Sequence, residues 1–155
     1  MSKSKNQLQA EIRYAIRLCQ RQARLYRRIQ AFGVFLSVIG GSATFSILSN
    51  SLPHALSYVG AGLLAVSGAA LIAIRPADKA VANESDIKRY QDLLAKLNTF
   101  DEASLEAAIE EARKSDAPEI DALRNVAYND VLLEINRADQ LIHLNFGEKV
   151  IGFLA

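Results

Sequence analysis

Between residues 29 and 74 the chain reads IQAFGVFLSVIGGSATFSILSNSLPHALSYVGAGLLAVSGAALIAI, 46 positions without one Asp, Glu, Lys or Arg. Arg27 and Arg28 close this stretch on one side and Arg75 on the other. Two apolar runs, Ala31–Leu48 and Ala55–Ile74, flank a short polar dent, Ser49-Asn50-Ser51-Leu52-Pro53-His54. A helix needs roughly 20 apolar residues to cross about 30 Å of hydrocarbon. The stretch therefore has room for two spanning helices and a tight turn, and for little else. The expected fold is an all-α membrane protein: an Arg-rich amphipathic N-terminal helix, a two-helix transmembrane hairpin, and cytosolic C-terminal helices.

Working outward, the charge is segregated. Residues 1–28 carry eight Lys or Arg against one acid, Glu11, a balance of +7. Residues 75–155 carry ten basic and sixteen acidic side chains, a balance of −6. Whole-chain averages (net charge +1, mean hydropathy +0.08) hide this division. Three regions follow: a basic helix over 1–30, a hairpin over 31–75 and an acidic helical region over 76–155.

The flanks set an expected topology. Arg17, Arg21, Arg24, Arg27 and Arg28 precede the first run, Arg75 and Lys79 follow the second, and the turn holds no Lys or Arg. The positive-inside bias then puts both termini in the cytoplasm, with only Ser49–His54 outside. A cleaved signal peptide does not fit, because 28 residues precede the charge-free stretch and a second apolar run follows the first. A buried soluble hairpin fits poorly, since core helices normally carry a polar face. Cys19, the single cysteine, permits no intrachain disulfide and falls on the apolar stripe of the first helix.

In that first helix Leu8, Ile12, Ile16, Cys19, Ala23 and Tyr26 recur at steps of three and four. Arg13, Arg17, Arg21, Arg24 and Arg28 form a second stripe. The Arg stripe has two compatible readings. It is the charged face of a helix packed on the cytosolic part, or it lies against anionic headgroups at about 1 kcal/mol per nearby Arg.

The first span carries Gly33, Ser37, Gly41 and Thr44 at steps of four, four and three. The second carries Ala61, Ala65, Ala69 and Ala73, with Gly60 and Gly68 bordering that ladder. Small residues at helical spacing let backbones approach closely in lipid. One such face is expected to hold the hairpin together, and small residues on more than one side also allow hairpins to associate. The hydroxyls of Ser37, Ser42, Thr44, Ser46, Ser57 and Ser67 either bond back to their own helices or line a water-filled path. No ionisable residue sits in either span, so proton relays and ion-coupled transport have no carrier.

Beyond Arg75-Pro76 a helix over 78–98 places Ile87, Tyr90, Leu94 and Leu97 on one face. Thr99 and Glu102 form an expected capping box for a helix through Lys114. Asp116, Pro118 and Glu119 are expected to open a last helix bearing Ile120, Leu123, Ala127, Val131, Ile135, Ala138 and Ile142. The tail Gly147–Ala155 is apolar and too short to span, a candidate docking segment.

Catalytic patterns are lacking. There is no nucleophile elbow, phosphate-gripping glycine loop or metal-spaced His/Cys cluster. His54 and His143 are isolated, and Glu110, Glu111, Asp116 and Glu119 read as charged surface. The basic arm has few aromatics, Tyr14 and Tyr26, and its place by the membrane explains it without nucleic acid. The chain is therefore expected to be no enzyme and to need no cofactor.

The Arg17–Arg28 arm, the small-residue hairpin, the exit through Arg75-Pro76 towards Tyr90, and the segment Ala127-Tyr128-Asn129-Asp130 together resemble the bacterial two-transmembrane effectors known as SLATT proteins. The resemblance covers most of the chain in architecture. It implies an oligomeric inner-membrane effector of anti-phage defence that forms pores or otherwise disrupts the membrane. It also implies a separate nucleotide-sensing or nucleotide-synthesising partner protein. On that reading Gly33, Ser37, Gly41, Thr44, Ala61, Ala65, Gly68 and Ala69 pack or line a path. Arg17, Arg21, Arg24, Arg27, Arg28 and Arg75 then stand at the membrane surface. A membrane-anchored scaffold or interaction protein, and a phage holin-like protein, are the alternatives.

Overall fold

The computed structural model describes residues 3–45 and 54–155, with the side chains of His54, Ala55 and Ser57 excepted. Every regular element among the described residues is helical. Helix α1 runs Lys5–Phe45, α2 His54–Ile74, α3 Pro76–Ala95, α4 Glu102–Lys114, α5 Arg124–Glu134 and α6 Phe146–Leu154. Two stretches, one within Lys5–Phe45 and one within Tyr58–Ala95, are long and apolar enough to cross a membrane. Only 6% and 11% of those windows are buried inside the protein, where the core helix of a soluble domain would be mostly covered. The outer turn expected at Ser49–His54 lies outside the described residues, except that His54 begins α2.

Several boundaries differ from expectation, each for a local reason. The basic helix and the first span are one continuous helix, α1. Neither a proline nor a break interrupts residues 29–33, so the change from polar to apolar alters what the side chains meet and not the backbone. Between α2 and α3, Arg75 takes a left-handed conformation (φ 50°), its N–H donating to the Leu71 carbonyl at 3.0 Å. Pro76 opens α3, a position where its missing N–H costs no hydrogen bond.

The Thr99–Glu102 capping box does not form. Asp101 holds the extended cap position of α4, and the Thr99 hydroxyl donates instead to the Lys96 carbonyl at 2.7 Å. The single long last helix is also corrected. It breaks into a 3-10 turn at Asp121–Leu123, helix α5, a second 3-10 turn at Ala138–Gln140, and α6. Asn136 ends α5 with φ 56°. The Arg137 N–H reaches the Leu132 carbonyl at 2.8 Å and the Asn136 N–H the Leu133 carbonyl at 3.2 Å, a Schellman arrangement.

The chain forms two compact units. One comprises residues up to Leu25 together with Lys79–Ala155, and the other Tyr26–Asp78. In the first, α1 is covered on two sides. Leu8, Ile12 and Ile16 pack with Tyr90 of α3 and Leu105, Ile109 and Ala112 of α4. Leu18 packs with Leu123, Ala127 and Ala155. Complete burial of an aliphatic side chain contributes about 1.5–3 kcal/mol, so these two clusters hold the unit together.

A polar network crosses the first cluster. The Tyr90 hydroxyl donates to Asp116 Oδ2 at 2.5 Å, while the buried Asp86 pairs with Arg89 and accepts from the Ala117 N–H at 3.0 Å. Asp116 Oδ1 accepts no hydrogen bond and lies 3.6 Å from the Arg89 guanidinium. Burial raises the Asp116 carboxyl above its ordinary value, with neighbouring Asp86 adding to the rise, although Tyr90, Arg89 and Arg113 oppose it. The folded chain thus keeps a proton on Asp116 to higher pH than the unfolded chain does. The stability this confers is present below pH 3.8 and is lost as the pH rises through the folded value. Asp116→Asn cannot ionise, so its stability relative to the wild type should improve as the pH is raised from below 3.8 towards neutrality. Thermal melting of both proteins across that range, followed by circular dichroism, checks the sign.

Candidate functional site

The hairpin unit is organised around two glycines. A Cβ on Gly40 would stand 2.5 Å from the Gly60 carbonyl oxygen and 2.7 Å from the Leu64 nitrogen. A Cβ on Gly60 would stand 2.5 Å from that of Ala43. Backbone meets backbone here, and only a residue without a side chain fits. One step along, the Ser37 and Ser67 hydroxyls lie 2.8 Å apart. Ser37 Oγ is also 2.9 Å from the Gly33 carbonyl and Ser67 Oγ 2.6 Å from that of Leu63. Two protons serve these three contacts, so one hydroxyl donates across the pair while the other donates to its own helix. Further along, Gly33 faces the Leu71 side chain.

The residues singled out in the sequence therefore divide. Gly33 and Ser37 face α2, and Thr44 donates to the Gly40 carbonyl at 2.8 Å, as Ser42 does to that of Val38 at 2.8 Å. Gly41, adjacent to the contact glycine, has nothing within 4 Å of where a Cβ would stand, and the same holds for Gly62 and Gly68. Ala61, Ala65, Ala69 and Ala73 are exposed. The face of α2 that meets α1 is instead Gly60, Leu64, Ser67 and Leu71, a different side of the same helix. Ser46 and the Ser57 side chain lie outside the described residues. Gly40 was not singled out in the sequence. Its only signal was a second glycine beside Gly41, turned about 100° from it on a helix.

In the helical unit the Arg stripe meets acids. Arg13 and Arg17 both bond Glu134 of α5, at 3.1 and 2.9 Å. Arg21 grips Asp130 with two nitrogens, at 2.7 and 2.8 Å, and donates a third bond to the Gly152 carbonyl of α6 at 2.9 Å. The hydrogen bond to Asp130 holds the Arg21 guanidinium above its ordinary value, against the cost of partial burial. Arg24, Arg27 and Arg28 are exposed, and Arg75 pairs with Asp78 at 2.6 Å. Cys19 is buried, and burial pushes its thiol up to about 12, too high for a reactive thiolate at neutral pH.

A cleft of about 510 Å³ between α1 and α5 is lined by Tyr14, Arg124, Asn125, Tyr128, Ile135 and Ile142 among others. Among the described residues, no cluster of three or more His, Cys, Asp or Glu side chains could hold a metal ion. Comparison with protein-family models, with curated proteins and with solved structures gave no match to this chain.

Two measurements test this geometry. In a Cys19→Ser background, Ser37→Cys with Ser67→Cys should form an intramolecular disulfide on mild oxidation, since the hydroxyls they replace are 2.8 Å apart. Adding Gly40→Val should leave both thiols open to maleimide; a disulfide yield that Gly40→Val does not change would contradict the glycine contact. For the arm, Arg21→Ala and Asp130→Ala should show a coupling of about 1–3 kcal/mol in a double-mutant cycle of thermal stability. Additive effects would mean that Arg21 acts elsewhere than on Asp130.

Proposed function

We propose that this chain is an oligomeric effector of the bacterial inner membrane, of the SLATT type, that permeabilises or disrupts the bilayer when a partner sensor triggers it. Both termini then lie in the cytoplasm, where the helical unit receives the signal. One observation carries the reading. The hairpin closes on one small-residue face, Gly40 against Gly60, while a second set of small residues on another side of α2 stays exposed: Ala61, Ala65 and Ala69. A simple anchor has no use for it, because leucine or isoleucine there would suit lipid better. In hydrocarbon, where apolar burial gives no drive to associate, a small-residue face is the usual means by which helices meet. Gly41, open on α1, supplies another such position.

The arm supports a resting state. Arg13, Arg17 and Arg21 clasp α5 and α6, so the segment leading into the first span is held by the last two helices. A partner that competes for Glu134 or Asp130 would release it. The hydroxyls of Ser37, Ser42, Thr44 and Ser67 bond within the hairpin, which favours a conducting path between hairpins rather than within one.

The test is inducible expression in a bacterium with a membrane-potential dye and chemical cross-linking read together. Gly41→Leu and Ala65→Leu should each reduce cross-linked oligomer and depolarisation. A penalty of about 1.4 kcal/mol on association lowers the oligomer population about tenfold. Unchanged cross-linking and unchanged depolarisation in both variants would remove the proposal. Oligomers in a cell that stays polarised, even with the partner sensor co-expressed, would point instead to a membrane-anchored scaffold.

A further inference from the structure

Helix α6 is oriented with its apolar side outward. At helical spacing Phe146, Lys149, Val150, Phe153 and Leu154 share one face, and all five are exposed, Phe146 and Phe153 to 84% and 82%. The opposite face holds Glu148, Ile151, Gly152 and Ala155, of which Glu148 and Ala155 are buried. An ordinary surface helix has the reverse arrangement, with its acid in water and its phenylalanines covered.

A capping box starts the helix, and three contacts with other elements fix its orientation. Asn145 accepts from the Glu148 N–H at 2.8 Å, and Glu148 accepts from the Asn145 N–H at 2.8 Å, which closes a capping box. The other Glu148 oxygen accepts from Asn125 of α5 at 2.7 Å. Gly152 lies against Val126, where a Cβ would stand 3.1 Å from the valine methyl, and its carbonyl takes the bond from Arg21. Rotating α6 to hide its phenylalanines would break the contacts with Asn125, Val126 and Arg21.

We propose that the outward face of α6 is an interfacial lipid-binding surface, seated in the anionic headgroup layer of the bilayer that the hairpin crosses. This rests on the membrane reading above. Three observations select lipid over a second copy of the chain. Gly152 is bonded to Arg21, eight residues before the charge-free stretch begins at Ile29, and eight residues extend to at most about 29 Å. The face is therefore tied to the apolar segment by a short length of chain. The one charge that α6 places on this face is a cation, Lys149, which complements anionic headgroups. Two phenylalanines flanking a lysine stem on one helical face suit the boundary between headgroups and acyl chains, where the stem lies in apolar surroundings and the ammonium in water.

The chain has no tryptophan, so single substitutions report position without further engineering. The full chain carrying Phe146→Trp, Phe153→Trp or, in the first span, Phe35→Trp is reconstituted into vesicles of phosphatidylcholine and phosphatidylglycerol. The lipids are brominated either near the headgroups or deep in the acyl chains. Upheld, the proposal gives blue-shifted emission at positions 146 and 153 with strong loss of intensity to shallow bromines and little to deep ones. Position 35 should show the opposite preference. Quenching at 35 by deep bromines, with none at 146 or 153 from either lipid, overturns the proposal and leaves the hairpin standing. Blue-shifted emission at 146 and 153 that follows protein density, without bromine quenching, overturns it in favour of a second copy. Absence of deep quenching at 35 overturns the spanning reading and this proposal with it.

Discussion

The basic arm and the acidic region of the chain are drawn together, and the helical unit depends on that meeting. Arg13, Arg17 and Arg21 on one helix meet Glu134 and Asp130 on α5, while Glu11, the one acid of the arm, is paired by Lys3 and by Arg113 of α4. Most of these pairs are partly exposed and contribute about 0–1 kcal/mol each. The bulk of the stabilisation comes from Leu8, Ile12, Leu105 and Ile109, all with essentially no exposed surface. What the ion pairs supply is register: apolar side chains tolerate sliding along one another, and a two-pronged Arg21–Asp130 contact does not.

The hairpin was legible because lipid-compatible composition is a coarse signal carried by many residues at once. Its inner contact was not. Gly40 and Gly41 are neighbours of identical chemistry, yet one meets a carbonyl and the other meets nothing. Which of two adjacent glycines is used depends on how α1 is rotated about its own axis against α2, and that is decided by the whole interface, including large residues such as Leu64 and Leu71. The alanine ladder shows a related limit. A regular spacing of four identifies a face but does not say what it faces.

In the helical unit the apolar stripe of α1 was readable, since a period of 3.6 is a local property of the sequence. Leu18 and Gln22 lay off that stripe and are buried all the same, because α1 is covered from two directions. Asp116 followed by Pro118 looks like the start of a helix, whereas its carboxylate serves Tyr90, 26 residues earlier. Asn136 stops α5 in the left-handed conformation that asparagine tolerates better than most residues, within a run whose apolar spacing continues to Ile142. Partnerships of this kind are long-range, and a single sequence does not encode them in any window.

The Arg21 contacts also set an order of events during synthesis. Arg21 and Asp130 are 109 residues apart, and Arg21 and Gly152 131 apart. At roughly 5–20 residues per second, several seconds or more separate the emergence of the arm from that of its partners. The hairpin, whose contacts join Gly40 to Gly60 and Ser37 to Ser67, is complete long before then. On the proposed membrane reading, the arginines of the arm would still be available to orient the first span as the chain enters the bilayer. On the topology proposed above, the same side chains would serve twice, first as a topogenic signal and later, once α5 and α6 have left the ribosome, as the clasp of the folded unit.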